Sequence, residues 1–372
     1  MASKLRVGII FGGRSGEHEV SLVSATSVIN ALDKEKYELI PIGITQSGRW
    51  LSSGNALQLL KSKNGLEKEP ERFLAPEPNR QALVSINGES DSRLDVVFPI
   101  VHGTYGEDGT LQGLLELANI PYVGAGVLGS ALGMDKIVQK KIYEREGIPV
   151  SKYLSFLSSE CTSSAKTIVK SVERELKYPV FTKPANTGSS VGISKAHNKG
   201  ELLEGLAAAA CYDRKVVVEQ GVKNAREIEC AVLGNDEPIA SVPGEIIPSN
   251  EFYDYDAKYV DGKSTAVIPA ELPKKVVKEI QRTAVRAFKV LDLAGMARVD
   301  FFVTRNKNRI YLNEVNTIPG FTSISMYPKM WEASGISYSE LLDRLIILAI
   351  ERHREKNALT TSYQPTKEWY KT

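Results

Sequence analysis

Two segments constrain this chain most. Ala297-Arg298-Val299-Asp300 and Asn313-Glu314-Val315-Asn316 read as the two arms of one β-hairpin with charged groups on a shared face. Side chains two apart on a strand point the same way, so Arg298 aligns with Asp300 and Glu314 with Asn316. If Asn306-Lys307-Asn308 is a three-residue loop, Arg305 faces Arg309, and counting back along both arms sets Asp300 opposite Glu314. Two carboxylates and an amide then converge. Hard oxygen donors of this kind suit Mg²⁺, which keeps several waters and shares its shell with phosphates. Alternating acids are also what an ordinary solvated hairpin face carries, so the pattern alone leaves both readings open.

At 372 residues the chain is long for a single core, and two or three domains are expected. A hydrophobic content of 42% with 25% charged residues is that of an ordinary globular protein, which removes fibrous and disordered classes. The formal net charge of +2 leaves no surplus of Lys and Arg for a nucleic-acid backbone, so any anionic ligand is small. Cys161, Cys211 and Cys230 are odd in number and lack metal or redox spacing, which fits buried thiols in a reduced compartment. Met1 to Leu5 leads straight into a strand without an apolar signal region, and the run from Leu341 to Ile350 is broken by Asp343 and Arg344. No membrane partner is expected, and a cytoplasmic protein is.

The organisation is α/β. Leu5 to Phe11, Val20 to Leu32 and Leu39 to Ile44 make a β-α-β opening, resumed by a strand from Asp95 to Val101. Lys61 to Arg93, rich in charge, Pro and Gly, reads as a surface excursion. Helices are expected over Lys136 to Glu146, Ser164 to Leu176, Lys274 to Leu291 and Ser339 to Arg354. Three parts follow, 1–124, 125–218 and 219–372, with a polar tail after Lys356.

Several further segments carry chemistry. Val180 to Ile193 is a strand, a loop with Gly188, Ser189, Ser190 and Gly192, and a second strand, where backbone N–H groups, hydroxyls and Lys183 could meet a phosphate. It lacks the G-x-x-x-x-G-K-[ST] order, and a plain tight hairpin would look similar. Val216 to Val218 runs into Glu219-Gln220-Gly221-Val222, which can offer backbone groups to an adenine edge with Glu227 near ribose hydroxyls, or can simply end at the surface. Gly12 to Glu19 joins the first strand to the first helix, where an anion is favoured. The G-x-G-x-x-G order is absent and no acid ends the second strand, so NAD is discounted. Glu17 at that mouth suits an ammonium, or serves as a helix-capping acid. His102 to Thr110 follows a strand end, where open α/β sheets bind ligands. His18 and His102 have no partner at zinc spacing, and no zinc site is expected. Glu251 to Tyr259 is polar and aromatic, as a lid over a phosphate-transfer site or a surface loop would be.

In order, these pieces resemble the D-alanine:D-alanine ligases of the ATP-grasp superfamily, from about Leu5 to about Arg354. The residues that carry the resemblance are Gly12-Gly13 with Ser15 and Glu17, His102-Gly103 through Gly113, Met134-Asp135-Lys136, Lys183-Pro184 with Gly188 to Gly192, Lys258-Tyr259, Arg298-Val299-Asp300, and Asn313 to Met326. The resemblance implies an ATP-grasp fold of three domains with an N-terminal Rossmann-like open parallel sheet. It implies ligation of two D-alanines with ATP through an acyl phosphate, for peptidoglycan precursors, with two Mg²⁺ (Mn²⁺ as an alternative) and a homodimer. By the same resemblance Lys136, Lys183, Gly188, Ser190 and Val191 meet ATP phosphates. Glu219, Gln220, Val222 and Glu227 hold adenosine, with Gln220 standing where many relatives carry Lys. Asp300, Glu314 and Asn316 bind metal. Glu17 takes the first D-alanine's ammonium with His102 nearby and joins Ser189 and Tyr259 in a hydrogen-bonded set, while Lys258 reaches the phosphate. Ser325, Met326 and Arg298 fix the second substrate's carboxylate, and Arg298 and the Gly320 N–H meet the oxyanion. Ligases that make a D-lactate ester commonly have His in place of the Lys-Tyr pair, so Lys258-Tyr259 points to the dipeptide. A D-serine-adding enzyme differs less, and a non-catalytic relative would be expected to lack a metal ligand or a phosphate lysine.

Overall fold

The computed structural model describes residues 4–85, 92–247, 265–322 and 324–366. The opening third contains β1 (Leu5–Gly12), α1 (His18–Ala31), β2 (Tyr37–Ile44), β3 (Trp50–Leu51), α2 (Ala56–Ser62), β4 (Arg72–Leu74), β5 (Ala82–Ser85), β6 (Ser92–Arg93), β7 (Val96–Ile100) and α3 (Thr110–Leu117). Its main sheet has the order β3-β2-β1-β7, with β1 parallel to both β2 and β7 and only the short β3 antiparallel. Val7, Ile9, Ile10 and Phe11 are all fully buried, because a parallel strand covered on both faces reads as an unbroken apolar run.

The charged excursion is more ordered than its composition suggested. It holds a separate three-stranded sheet, β4-β5-β6, whose Leu74 and Leu83 pack into the cluster of Ile10, Ile42 and Val97. Short apolar runs such as Ala82-Leu83-Val84 anchor it, and the charged residues between them lie outside.

Next come α4 (Val127–Met134) and α5 (Lys136–Arg145). The Asp135 carboxylate accepts from the N–H groups of Ile137 and Val138, each at 3.0 Å, so α5 starts at a capped end with Lys136 in its first turn. Then follow β8 (Tyr153–Leu157), α6 (Ser158–Ser163), α7 (Ala165–Glu175), β9 (Val180–Pro184), β10 (Ser194–Ala196), α8 (Lys199–Ala210) and β11 (Lys215–Gln220). The sheet order is β10-β9-β11-β8, and Val169, Leu202, Leu206 and Val216 form a core of its own beneath the helices.

The last part has β12 (Ala225–Gly234), β13 (Ile239–Ala240), β14 (Gly244–Ile247), β15 (Thr265–Val267), α9 (Lys274–Val290), β16 (Gly295–Thr304), β17 (Ile310–Asn316), α10 (Met326–Ala333) and α11 (Tyr338–Asn357). The sheet runs β15-β14-β12-β16-β17 with β13 added to β12. One large cluster joins this part to the first sheet, from Phe98 to Phe321, Trp331 and Leu345. The Phe98 and Phe321 rings meet edge-on at 5.7 Å between centroids. That contact fixes the segment between β17 and α10, and truncating Phe321 to Ala is expected to cost about 3–5 kcal/mol.

The hairpin pairs Asp300 with Glu314 as expected, by a different route. Thr304 N donates to Arg309 O, so the loop runs from Arg305 to Asn308 instead of Asn306 to Asn308. That longer loop shifts the register by one. A β-bulge then shifts it back, because Phe301 pairs with Leu312 while Asp300 pairs with Glu314, leaving Asn313 as the extra residue.

Candidate active site

A cavity of about 540 Å³ opens between the first sheet, the 187–193 loop and the hairpin. Glu17, His102, Lys136, Gly188, Ser189, Ser190, Arg298, Glu314, Asn316, Gly320, Ser325 and Met326 all line it. A second, of about 490 Å³, is lined by Lys183, Glu219, Gln220, Val222, Glu227 and Asp300. Ser190, Arg298 and Glu314 line both, so the two are neighbouring halves of one cleft. Val191 faces a third, more open hollow beside Arg14, Glu17 and Gly188. Lys258 and Tyr259 lie outside the described residues.

The loop between β9 and β10 closes on the start of α1. Ser189 Oγ donates to Glu17 Oε1, and Ser189 and Ser190 both have positive φ, 45° and 61°. Glu17 is hemmed in by two glycines. A Cβ on Gly103 or on Gly188 would meet Glu17 Oε2 and displace that carboxylate, and Gly103 also sits at a φ of +75° that favours glycine. Lys136 Nζ donates to Thr187 O at 2.7 Å and lies 3.5 Å from a Glu314 oxygen, tying the loop to the hairpin through the head of α5.

Lys183 belongs to a buried ionic cluster. Its Nζ is 3.2 Å from Glu219 Oε2 and 3.4 Å from Asn313 Oδ1, the bulged residue. Lys140 Nζ lies 3.3 Å from Glu219 Oε1, and Ser151 Oγ donates to Glu219 Oε2 at 3.2 Å. Burial pushes the Glu219 carboxyl upward, but Lys140 and Lys183 outweigh it and hold it below the usual range. Gln220 lines this cavity while its Oε1 accepts from Lys177 N at 3.0 Å and its backbone N–H donates to Lys152 O.

On the hairpin, Arg298 grips Asp300 with both ends of its fork, each bond 2.8 Å, and lies 3.1 Å from Glu229. Burial opposes the Arg298 charge, yet Asp300 and Glu229 raise its pKa well above the ordinary value. Asn316 Nδ2 donates to Asp300 Oδ2 at 3.0 Å. Across three strands Glu229, Asp300 and Glu314 are direct neighbours in register. Asp300, Glu314 and Asn316 offer hard oxygen donors from adjacent strands at the edge of the cleft, a set whose chemistry fits Mg²⁺. Among the described residues no group of three or more His, Cys, Asp and Glu side chains is placed to hold a metal ion, so the set depends on the Asn316 amide and on oxygens supplied by a ligand.

His102 is committed to structure. Its Nδ1 lies 3.0 Å from Ile318 O, which only accepts, and its Nε2 3.0 Å from Ser24 Oγ. Burial lowers its pKa, so the neutral ring donates through Nδ1 and accepts through Nε2. Beside it, Glu107 accepts from Gly103 N at 2.9 Å, Thr317 Oγ1 at 3.1 Å and Ile318 N at 2.7 Å. Burial, then the nearby Glu17, pushes the Glu107 carboxyl up to about 7. These two residues hold the backbone just ahead of Gly320, which lines the cleft near Ser325 and the start of α10.

Sequence reasoning gave no role to Lys140, Glu229, Glu107 or Asn313. Glu227 and Glu229 share a strand face by period two, which was a usable signal; the register that sets Glu229 beside Asp300 was not.

Models of the D-ala D-ala ligase N-terminus and C-terminus match residues 6–125 and 142–347. A D-alanine–D-alanine ligase of Natranaerobius thermophilus is 51% identical over 361 residues, covering 97% of this chain and 99% of the relative. That of Caldicellulosiruptor bescii is 53% identical, with 97% and 99% covered. Among solved structures, the D-alanine-D-alanine ligase from Coxiella burnetii matches with a TM-score of 0.84 and 41% identity over 96% of this chain and 97% of that one. The VanG D-Ala:D-Ser ligase of Enterococcus faecalis matches with a TM-score of 0.83 and 40% identity over 93% and 100%. With its fold, its cleft and both family models in agreement, this chain belongs to the D-alanine–D-alanine ligase family.

Proposed function

We propose that this protein joins two D-alanines into D-alanyl-D-alanine with ATP, through an acyl phosphate, to supply peptidoglycan precursors. The observation that carries the reading is the cleft's polarity. Lysines line the Lys183 side, an acidic hairpin crosses the middle, and Glu17 stands at the far end. The curated relatives at about 50% identity over nearly the whole chain bear the corresponding name.

ATP lies with its adenosine against Glu219, Gln220, Val222 and Glu227 and its phosphates toward Lys183, Lys136 and the loop from Gly188 through Ser190 and Val191. Asp300, Glu314 and Asn316 hold Mg²⁺, which when bound draws charge from the transferring phosphoryl group. Glu17 receives the ammonium of the first D-alanine and thereby aims its carboxylate at the γ-phosphate. The closed 187–191 loop keeps water from the acyl phosphate. Ser325, Met326 and Arg298 take the carboxylate of the second D-alanine, aided by the positive end of α10. As its amine attacks the carbonyl, the Gly320 N–H and Arg298 meet the growing negative charge. The division into 1–124, 125–218 and 219–372 belongs to the same proposal, supported by the separate core around Val169 and Val216.

The VanG likeness makes a D-serine acceptor the second reading. Phosphate release from ATP, measured with D-alanine, L-alanine, D-serine and D-lactate, separates them. D-alanine alone is expected to give the fastest release; faster release with D-alanine plus D-serine would favour the second reading, and release with L-alanine alone would sink both.

A further inference from the structure

Lys140 is a buried ammonium for which the chemistry above has no use. It is 1% exposed, points inward from α5 and lines neither half of the cleft. It lies 3.3 Å from one oxygen of Glu219, while Lys183 and Ser151 share the other, each at 3.2 Å. One lysine and one glutamate make a self-sufficient buried pair; two lysines against one glutamate do not. Glu314, the next carboxylate, acts on both Lys183 and Lys140 but is shared with Lys136, which lies 3.5 Å from it. Glu227 adds less to the field on Lys183 than Glu219 and Glu314 do. A surplus positive charge in a dry place is costly unless an anion arrives. The cavity beside Lys183 is where one can. Burial works against both ammoniums: for Lys183, Glu219 and Glu314 overcome it and raise the pKa, whereas for Lys140 burial prevails.

We propose that Lys140 is a positioning residue that sets the charge of the nucleotide site: by engaging one oxygen of Glu219 from behind, it leaves the Lys183 ammonium only partly compensated toward the cavity, where nucleotide phosphates complete the balance. This inference rests on the nucleotide reading of the cleft and adds to it the origin of phosphate affinity.

The test is calorimetric titration of the full chain with adenosine and with ADP, without D-alanine. Wild type is expected to prefer ADP strongly. Lys140→Met keeps the side chain's length and removes its charge. It should weaken ADP by at least about tenfold while adenosine shifts less than about twofold. Lys140→Met combined with Glu219→Gln frees Lys183 again and should return the ADP-to-adenosine ratio to within about threefold of wild type. Lys140→Gln, which keeps a donor to Glu219 without the charge, should lose ADP affinity as Lys140→Met does. Equal losses for adenosine and ADP, an unchanged ratio, or full ADP affinity in Lys140→Gln would each overturn the proposal. A wild type that does not prefer ADP to adenosine would instead remove the nucleotide reading beneath it.

Discussion

The two ends of the cleft treat a buried carboxyl in opposite ways. Glu219, on the Lys183 side, is fully buried yet held below the ordinary range by Lys140 and Lys183. Glu107, on the Glu17 side, is half-buried and is pushed up to about 7 by burial and by Glu17. The first end keeps the Glu219 carboxylate ionised against cations and presents Lys183, Lys195 and Lys223 to an anion. The second accumulates carboxylates and suits an ammonium, with both Glu17 and Glu107 lining the cavity. A phosphate and an amino acid bound in the same cleft are sorted by that gradient before any shape is read.

Glu314 lines both halves, so it is the residue through which the contrast can be broken at once. Glu314→Gln is expected to lower turnover by about a thousandfold, with the melting temperature moved less than about 4 °C because the site is half-open; a folded variant that still releases phosphate at the wild-type rate would defeat the metal assignment. Next in size is a stability effect of Glu107. Its folded pKa lies above the 4.5 of the free group, so the unfolded chain gives up that proton first. The protein must then lose stability as pH rises from about 4.5 through 7, by up to about 3 kcal/mol. Denaturant midpoints of wild type and Glu107→Gln at pH 5 and pH 8 check this, and parallel behaviour of the two proteins would refute it.

The two ends can also be uncoupled. Lys183→Met should reduce kcat/KM for ATP by about a hundredfold while the KM for D-alanine changes less than about threefold. Glu17→Gln should do the reverse, raising the KM for the first D-alanine by about tenfold with ADP affinity intact. Steady-state rates with each substrate varied in turn separate the two, and if either variant moved both constants equally the cleft would be one site without polarity.

Much of this was legible beforehand because it is local. The β-α-β opening, the start of α5 at Lys136 and the facing of Arg298 with Asp300 each depend on residues a few positions apart, where local period decides the outcome. The Asp300–Glu314 pairing was reached from a loop one residue too short, and only the bulge at Asn313 made the count come out. The bulge also brings the Asn313 amide oxygen within 3.4 Å of the Lys183 ammonium. What could not be read was long-range register and shared burial. Nothing in the sequence places Glu229 beside Asp300, Lys140 behind Glu219, or Glu107 under Ile318.

By itself the sequence determined the element types, the family resemblance and which side chains could carry charge to a cleft, since those follow from local periodicity and residue chemistry. Only the tertiary structure decided which charges compensate one another. A carboxylate's behaviour is set by the nearest cation and by the water it loses, and both are fixed when strands far apart in the chain come within a few ångströms.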